Sequence, residues 1–343
     1  MAPAKKTVTR IGLMGFGRIG RNVFRQVRDR SDIEVAAIID VADPAALAYL
    51  LKYDTIFGRY PGGASFEDGH LVTERRRVPI LADKDPGDTD WSALGVDIVV
   101  QATRKHRTAA LCSRHLDRGA KRVILASTPE VPGDIETVII GANDHLLGPE
   151  DRIIALGSNT SNALAPILKI LDDSFGIDRA MFTVVHAYTN EARLADVPGG
   201  EFRTSRAAAE NIIPSNTNSA EIIEMVLPQF AGKLTGMALN VPVSDGSNVD
   251  LVAFLKKPTD RAAVNAAVKA AAAGSAIIEY TEDPIVSSDV IGSPHSAVWD
   301  GLATMLVGDT LLKCITWFDN GWGYAARVVD AIGILTDFDG GKR

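Results

Sequence analysis

The chain has 343 residues, of which 46% are hydrophobic and 23% charged, and it carries a net charge of −7. That length exceeds what one core fills comfortably, so two domains are expected. The acidic balance argues against nucleic acid or an anionic membrane as the main partner, and no stretch reads as a transmembrane span. The first ten residues carry Lys5, Lys6 and Arg10 but lack the apolar core of a signal peptide. Cys112, in a helical pattern, and Cys314, in a strand pattern, read as small core residues. Neither has the neighbours that make a reactive thiolate, and a reducing cytoplasm is the expected compartment. The run Arg75-Arg76-Arg77 reads as a solvated edge.

Val8 to Met14 reads as a strand that leads into Gly15-Phe16-Gly17-Arg18-Ile19-Gly20. A helix follows, with Val23, Phe24 and Val27 on one face, and then a strand, Val35–Ile39, that ends at Asp40. Glycines in this spacing between a strand and a helix let backbone N–H groups approach a pyrophosphate. The acid twenty residues further on accepts hydrogen bonds from a ribose 2′-hydroxyl and repels a 2′-phosphate, so NAD is favoured over NADP. Strands at Asp97–Val100, Arg122–Ala126, Val138–Ile140 and Ile153–Leu156, with a helix from about Thr108 to Gly119, complete a doubly wound pattern.

The joint Gly157-Ser158-Asn159-Thr160-Ser161-Asn162-Ala163-Leu164-Ala165-Pro166 lies between a strand and an apolar helical pattern. Small polar residues at a helix start favour anions and reactive oxygens, yet this joint holds no strong nucleophile. Beyond it the strands are longer and alternate: Ala180–His186, Leu234–Val243, Asn248–Leu255 and Thr310–Trp317. Helices are expected at Ser219–Pro228, Arg261–Ala273 and Gly323–Leu335. Ala187–Asn211 is a long stretch of small and charged residues, which implies a functional or interfacial loop. The tail from Asp337 to Arg343 is expected to fray.

Eight blocks, in order, carry a resemblance. They include Gly-Phe-Gly-Arg-Ile-Gly-Arg at 15–21, Val-His-Ala-Tyr-Thr at 185–189, Arg-Ala-Ala-Ala-Glu-Asn-Ile-Ile-Pro at 206–214 and Trp-Phe-Asp-Asn-Gly-Trp-Gly-Tyr at 317–324. From Arg10 to about Leu335 the chain resembles the glyceraldehyde-3-phosphate dehydrogenase family. The resemblance implies an α/β fold, with an N-terminal Rossmann domain that binds NAD at 1–157 and an α+β catalytic domain at 158–319. It also implies that the C-terminal helix, 320–343, packs back on the first domain. It further implies a cytoplasmic homotetramer acting on a small molecule, phosphorylated or not, with the loop Ala187–Asn211 reaching a neighbouring subunit's cofactor.

The family's catalytic block, Ser-Cys-Thr-Thr-Asn-Cys-Leu-Ala-Pro, aligns with Ser158 to Pro166, so Asn159 stands at the nucleophile position and Ala163 at the second cysteine. An amide nitrogen cannot form the thioester of the family's chemistry. His186 matches the general base. The resemblance assigns Ser158, Thr160, Thr189, Arg206, Thr217, Asn218 and Asn240 to substrate or anion binding, with Asn240 where an arginine clamps phosphate. Glu221 replaces a lysine nearby, and Arg203-Thr204 replaces two arginines. It assigns Gly15, Phe16, Gly17, Arg18, Ile19, Asp40, Thr103, Ser127, Asn320 and Tyr324 to the cofactor. Met14 and Ile39 replace asparagines there, and Arg104 replaces a glycine, where it either crowds the adenosine side or pairs with an anion. Two functions follow. One is an NAD-dependent oxidoreductase acting by direct hydride transfer, with His186 as base and Asn159 hydrogen-bonding the reacting oxygen. The other is a silent NAD-binding scaffold or regulatory paralogue.

Overall fold

The computed structural model describes residues 8–190 and 192–340. Lys5 and Lys6, Glu191 of the long loop, and Gly341–Arg343 of the tail lie outside the described residues. Two compact units form. Unit 1 comprises the residues up to Val138, Leu146–Gly157 and the residues from Ala325 on; unit 2 comprises Ile139–His145 and Ser158–Tyr324.

Unit 1 begins with β1 (Thr9–Met14), α1 (Arg18–Gln26), β2 (Ile33–Ile39) and α2 (Pro44–Lys52), followed by the short pair β3 (Tyr53–Asp54) and β4 (Gly58–Arg59). Strands β5 (Ala64–Glu67), β6 (His70–Thr73) and β7 (Arg77–Leu81) come next, then β8 (Ile98–Gln101), α3 (Ala109–Asp117), β9 (Arg122–Leu125), β10 (Glu136–Thr137) and β11 (Ile153–Ala155). The sheet order is β10-β11-β9-β8-β1-β2-β7-β6-β5. Every residue of β8 and β9 is buried, as a central parallel strand covered on both faces requires. The antiparallel edge grows through a hairpin whose two-residue turn is Asp68-Gly69, both with positive φ. Asp43 caps α2 by accepting the Ala45 N–H, and Pro44 opens the helix.

Three expectations change here. Val138–Ile140 is not a strand: pairing ends after Thr137, and the chain turns as Asn143 Oδ1 accepts the Ile139 N–H at 2.8 Å. Ile139 and Ala142 then join the core of unit 2, so their apolar character reflects burial and not strand pairing. Arg76 is not part of a solvated edge, because its Nη2 donates to the carbonyls of Val27 (2.6 Å) and Ile33 (3.2 Å). Asp337 does not begin a frayed tail, since the last helix runs to Asp339, whose carboxylate takes two hydrogen bonds from the largely buried Arg122 (3.0 and 2.7 Å).

Unit 2 contains α4 (Asn159–Phe175), β12 (Ile177–Ala187), β13 (Ile213–Ser215), α5 (Ser219–Val226), β14 (Leu234–Val241), β15 (Ser247–Leu255), α6 (Arg261–Ala272), β16 (Ile278–Thr281), β17 (Ala297–Asp300), β18 (Met305–Val307) and β19 (Leu311–Phe318). The last helix, α7 (Trp322–Asp339), begins in unit 2 and continues in unit 1. The sheet order is β13-β14-β12-β15-β19-β17-β16, with β18 on β19. Strict alternation of burial along β19 shows one face against the core. That core includes Leu164, Ile167, Leu168 and Leu171 of α4, which recur at helical spacing. Among the described residues no helix is long and apolar enough to cross a membrane.

Candidate active site

In unit 1 the glycine turn between β1 and α1 has a different reason for each glycine. Gly15 adopts φ +101°, and its N–H reaches the Ile39 carbonyl at 2.8 Å. A Cβ on Gly20 would lie on the carbonyl oxygen of Gly15. A Cβ on Gly17 would meet nothing within 4 Å, and no side chain caps α1. The first-turn N–H groups therefore face an open cradle suited to a pyrophosphate. Phe16 is buried edge-on against Phe24, and its N–H donates to Asp40 Oδ2 at 2.7 Å. Asp40 Oδ1 accepts the Ala42 N–H at 3.0 Å. The carboxylate is thus held in place while both oxygens keep lone pairs for ribose hydroxyls. Arg18 turns its guanidinium to Asp54, so its backbone is what remains for a phosphate. Ile19 is half-buried in the first turn. At the carboxyl ends of the neighbouring strands, Thr103 takes a hydrogen bond from Gln101 Nε2 (2.8 Å), and the buried Ser127 Oγ has no partner among the described residues. A buried hydroxyl without a protein partner fits a polar ligand.

In unit 2 the joint becomes the start of α4. Ser158 is its cap: Ser158 Oγ accepts the Ser161 N–H (3.0 Å), and Ser161 Oγ accepts the Ser158 N–H (2.9 Å). Asn159 is the first helical residue. Its Oδ1 accepts the Thr160 N–H at 2.7 Å. Its Nδ2 donates to the Asn320 carbonyl at 3.2 Å and faces His186 Nε2 at 3.5 Å.

His186 stands near the end of β12, beside Asn240 at the same level of the parallel strand β14. Its Nδ1 lies 2.6 Å from the Ala187 carbonyl, which can only accept, so Nδ1 carries the proton and Nε2 is an acceptor, which the Asn159 amide faces. Burial pushes its pKa below the ordinary value, against smaller opposite pulls from the Ala187 carbonyl and Asp245. Ser247 supports this arrangement: its Oγ accepts the Ala187 N–H (2.9 Å) and donates to Asn320 Oδ1 (2.6 Å). That contact leaves Asn320 Nδ2 3.5 Å from His186 Nδ1, where two N–H groups meet and no hydrogen bond forms.

These groups open on a cleft of about 930 Å³ within unit 2. Ser158, Asn159, Thr160, His186, Thr189, Arg206, Thr217, Asn218 and Asn240 all line it. Arg206 is tied to Asp196 at 2.9 Å, Asn240 donates to Ser215 Oγ at 2.7 Å, and Thr217 donates to Ser219 Oγ at 2.9 Å. No cysteine lines the cleft: Cys112 and Cys314 are both buried, and burial pushes their thiols up, Cys112 to about 12. Two residues assigned to the cofactor belong to unit 2: Asn320, in the histidine network, and Tyr324, buried at the start of α7.

The sequence reading passed over several residues of this network. Asp245 Oδ1 accepts the N–H groups of Gly246 (2.8 Å) and Asn320 (3.0 Å). Asp319 accepts from Gly321 (2.8 Å), Gly292 (2.7 Å) and Trp322. Burial, and then the charge of Asp245, push the Asp319 carboxyl up to about 6. The adjacent Asp319-Asn320 pair was the available signal. Ser247 had none, because its partners, Ala187 and Asn320, are distant in sequence.

Comparison with known proteins identifies the family. The NAD-binding domain model of glyceraldehyde 3-phosphate dehydrogenase matches residues 9–109, and the C-terminal domain model matches residues 158–320. The chain is 44% identical to glyceraldehyde-3-phosphate dehydrogenase of Geobacillus stearothermophilus, over 94% of this chain and 96% of that protein. It is 44% identical to the Mycobacterium avium protein of the same name (95% and 98%) and 41% identical to glyceraldehyde-3-phosphate dehydrogenase 2 of Streptomyces avermitilis (97% and 99%). NAD is the cofactor, and the Rossmann-type turn and Asp40 of unit 1 are the groups suited to hold it. The chain belongs to the glyceraldehyde-3-phosphate dehydrogenase family of NAD-dependent oxidoreductases.

Proposed function

We propose that this protein is an NAD-dependent oxidoreductase that works by direct hydride transfer, without a thioester, and with His186 as its base. The observation that carries the reading is the unprotonated Nε2 of His186, directed at the Asn159 amide in a cleft with no thiol. Asn159 stands at the family's cysteine position. NAD supplies the hydride acceptor when bound. The chain's own part is proton transfer and orientation. As an alcohol or hydrated aldehyde is oxidised, its O–H proton passes to Nε2, and the Asn159 Nδ2–H stabilises the oxygen as charge develops on it. The 3.5 Å contact between these two groups is long for a hydrogen bond, so a substrate hydroxyl displaces it at little cost. Screening alcohols and aldehydes against NAD and NADH tests the proposal. Silence across sugar phosphates, hydroxy acids and simple aldehydes would defeat it.

The second reading is a silent NAD-binding scaffold. It is favoured by the Asn159 amide, which already has partners at both ends, Thr160 N–H and the Asn320 carbonyl. NAD binding in calorimetry without hydride transfer to any substrate supports it. Asn159→Cys separates both readings from the family's ordinary chemistry, since full phosphorylating activity in that variant would show an intact phosphate pocket. We further propose a cytoplasmic homotetramer. Leu194 and Phe202 of the 187–211 loop are 91% and 96% exposed, and a neighbouring subunit would cover them.

A further inference from the structure

The starts of α4 and α5 both contribute residues to the cleft of unit 2. At α4 the Ser158–Ser161 capping box takes the donors. At α5 the cap residue Asn218 offers the helix no side-chain cap, and Glu221, exposed in the first turn, is one of the residues lining the cleft. A first-turn carboxylate sits where the helix dipole would otherwise draw a ligand anion. Around it the wall is neutral and hydroxyl- or amide-bearing: Ser215, Asn216, Thr217, Asn218 and Asn240. The cations on the lining are Arg206, already paired with Asp196, and Arg193, on the long loop.

We propose that Glu221 is a specificity-determining residue: it makes the α5 end of the cleft a subsite that accepts a hydroxyl and excludes phosphate. The substrate class is then a short hydroxyaldehyde or alcohol with a free terminal hydroxyl. The carboxylate accepts from a hydroxyl and the neighbouring carboxamide N–H groups donate to its oxygen, whereas a phosphate dianion meets a like charge there. The inference rests on the cleft being the substrate site.

The test has two arms on the full chain. In the first, inorganic phosphate is titrated calorimetrically into the native protein, Glu221→Gln and Glu221→Lys. Removing one like charge at contact range is expected to tighten phosphate binding about tenfold in Glu221→Gln, and further in Glu221→Lys. Native protein that binds phosphate with a Kd below about 1 mM overturns the proposal, as does unchanged affinity in Glu221→Gln. The second arm compares a hydroxyaldehyde with its terminally phosphorylated counterpart. Native protein should prefer the former, and Glu221→Gln should raise its KM about five- to tenfold with kcat unchanged, the signature of lost uniform binding. A preference for the phosphorylated partner, or an unchanged KM, overturns the proposal. If no substrate turns over, the direct-hydride reading fails, and the phosphate arm still decides the role of Glu221. The fold does not depend on this exposed side chain, and Glu221→Ala serves as a second variant if Glu221→Lys misfolds.

Discussion

The starts of α1 and α4 pose the same physical problem and solve it in opposite ways. Each follows a strand and a glycine-containing turn, and each leaves unsatisfied N–H groups. At α1 the cap position is Gly17, no side chain reaches the donors, and the space beside Gly17 is empty. At α4 the cap is Ser158, locked to Ser161, and the Asn159 side chain turns back onto Thr160 N–H. The first end is built for an external anion. The second satisfies itself, so the chemistry proposed there falls to side chains, chiefly the Nε2 lone pair of His186. A helix N-terminus is therefore an anion site only where the sequence leaves it uncapped.

The largest expected effect is at His186, the proposed base. His186→Asn should lower kcat/KM for a turned-over alcohol by about 10²- to 10⁴-fold while NAD affinity is unchanged. In the native enzyme protonated imidazole cannot accept a proton, so the rate falls as pH falls. Burial lowers the His186 pKa, which places the midpoint of that acid limb below the ordinary histidine value of 6.5. A limb above 6.5 would contradict the assigned environment.

Gly17→Ala tests the open end. The added methyl meets no protein atom, so thermal stability should hold, but NAD affinity should drop by about ten- to a hundredfold as the methyl enters the ligand's space. Unchanged affinity in calorimetry would mean that the cradle holds nothing.

Ser158→Ala tests the closed end. It removes half of the capping box and should cost about 1 kcal/mol in urea unfolding at constant m-value. A loss below about 0.3 kcal/mol would show that Ser161 and Asn159 suffice to close α4.

The smallest effect is expected behind the histidine. The raised pKa of Asp319 means that the folded state binds its proton more tightly than the unfolded state does. The stability it contributes is therefore lost as pH rises from about 4 through about 6. Asp245→Asn keeps an oxygen for the Gly246 and Asn320 N–H groups and removes the repelling charge. It should gain roughly 0.5–1 kcal/mol at pH 7, with the gain fading towards pH 4, and should shift the acid limb of activity further down. A gain that persists unchanged at pH 4 would count against this electrostatic account.

The fold was legible wherever short-range rules act. Buried parallel strands, the glycine turn and the period of α4 could be read directly. Asp43-Pro44 and Asp68-Gly69 were also readable, as a helix cap and a hairpin turn, but were passed over among stronger signals. Val138–Ile140 misled because an apolar run reports burial and not which unit buries it. Arg76 misled because its carbonyl partners, Val27 and Ile33, are more than forty residues away in sequence. Within the site, His186 and Asn159 were legible as residue types in recognisable blocks. Their hydrogen bonds, and the parts played by Ser247, Asp245 and Asp319, were not.

By itself the sequence determined which atoms are available: glycines at the α1 turn, an asparagine and two serines at the α4 turn, a histidine, and no thiol beside them. These follow from residue identity and local backbone preference, which act over a few positions. Only the tertiary structure decided what those atoms do. It set the His186 tautomer through Ala187, oriented Asn320 through Ser247, lowered the imidazole's pKa by burial and placed Glu221 on the cleft wall. Those outcomes depend on desolvation and on partners up to 161 positions apart, as Asn159 and Asn320 are, and a separation of that size exists only once the chain has closed on itself.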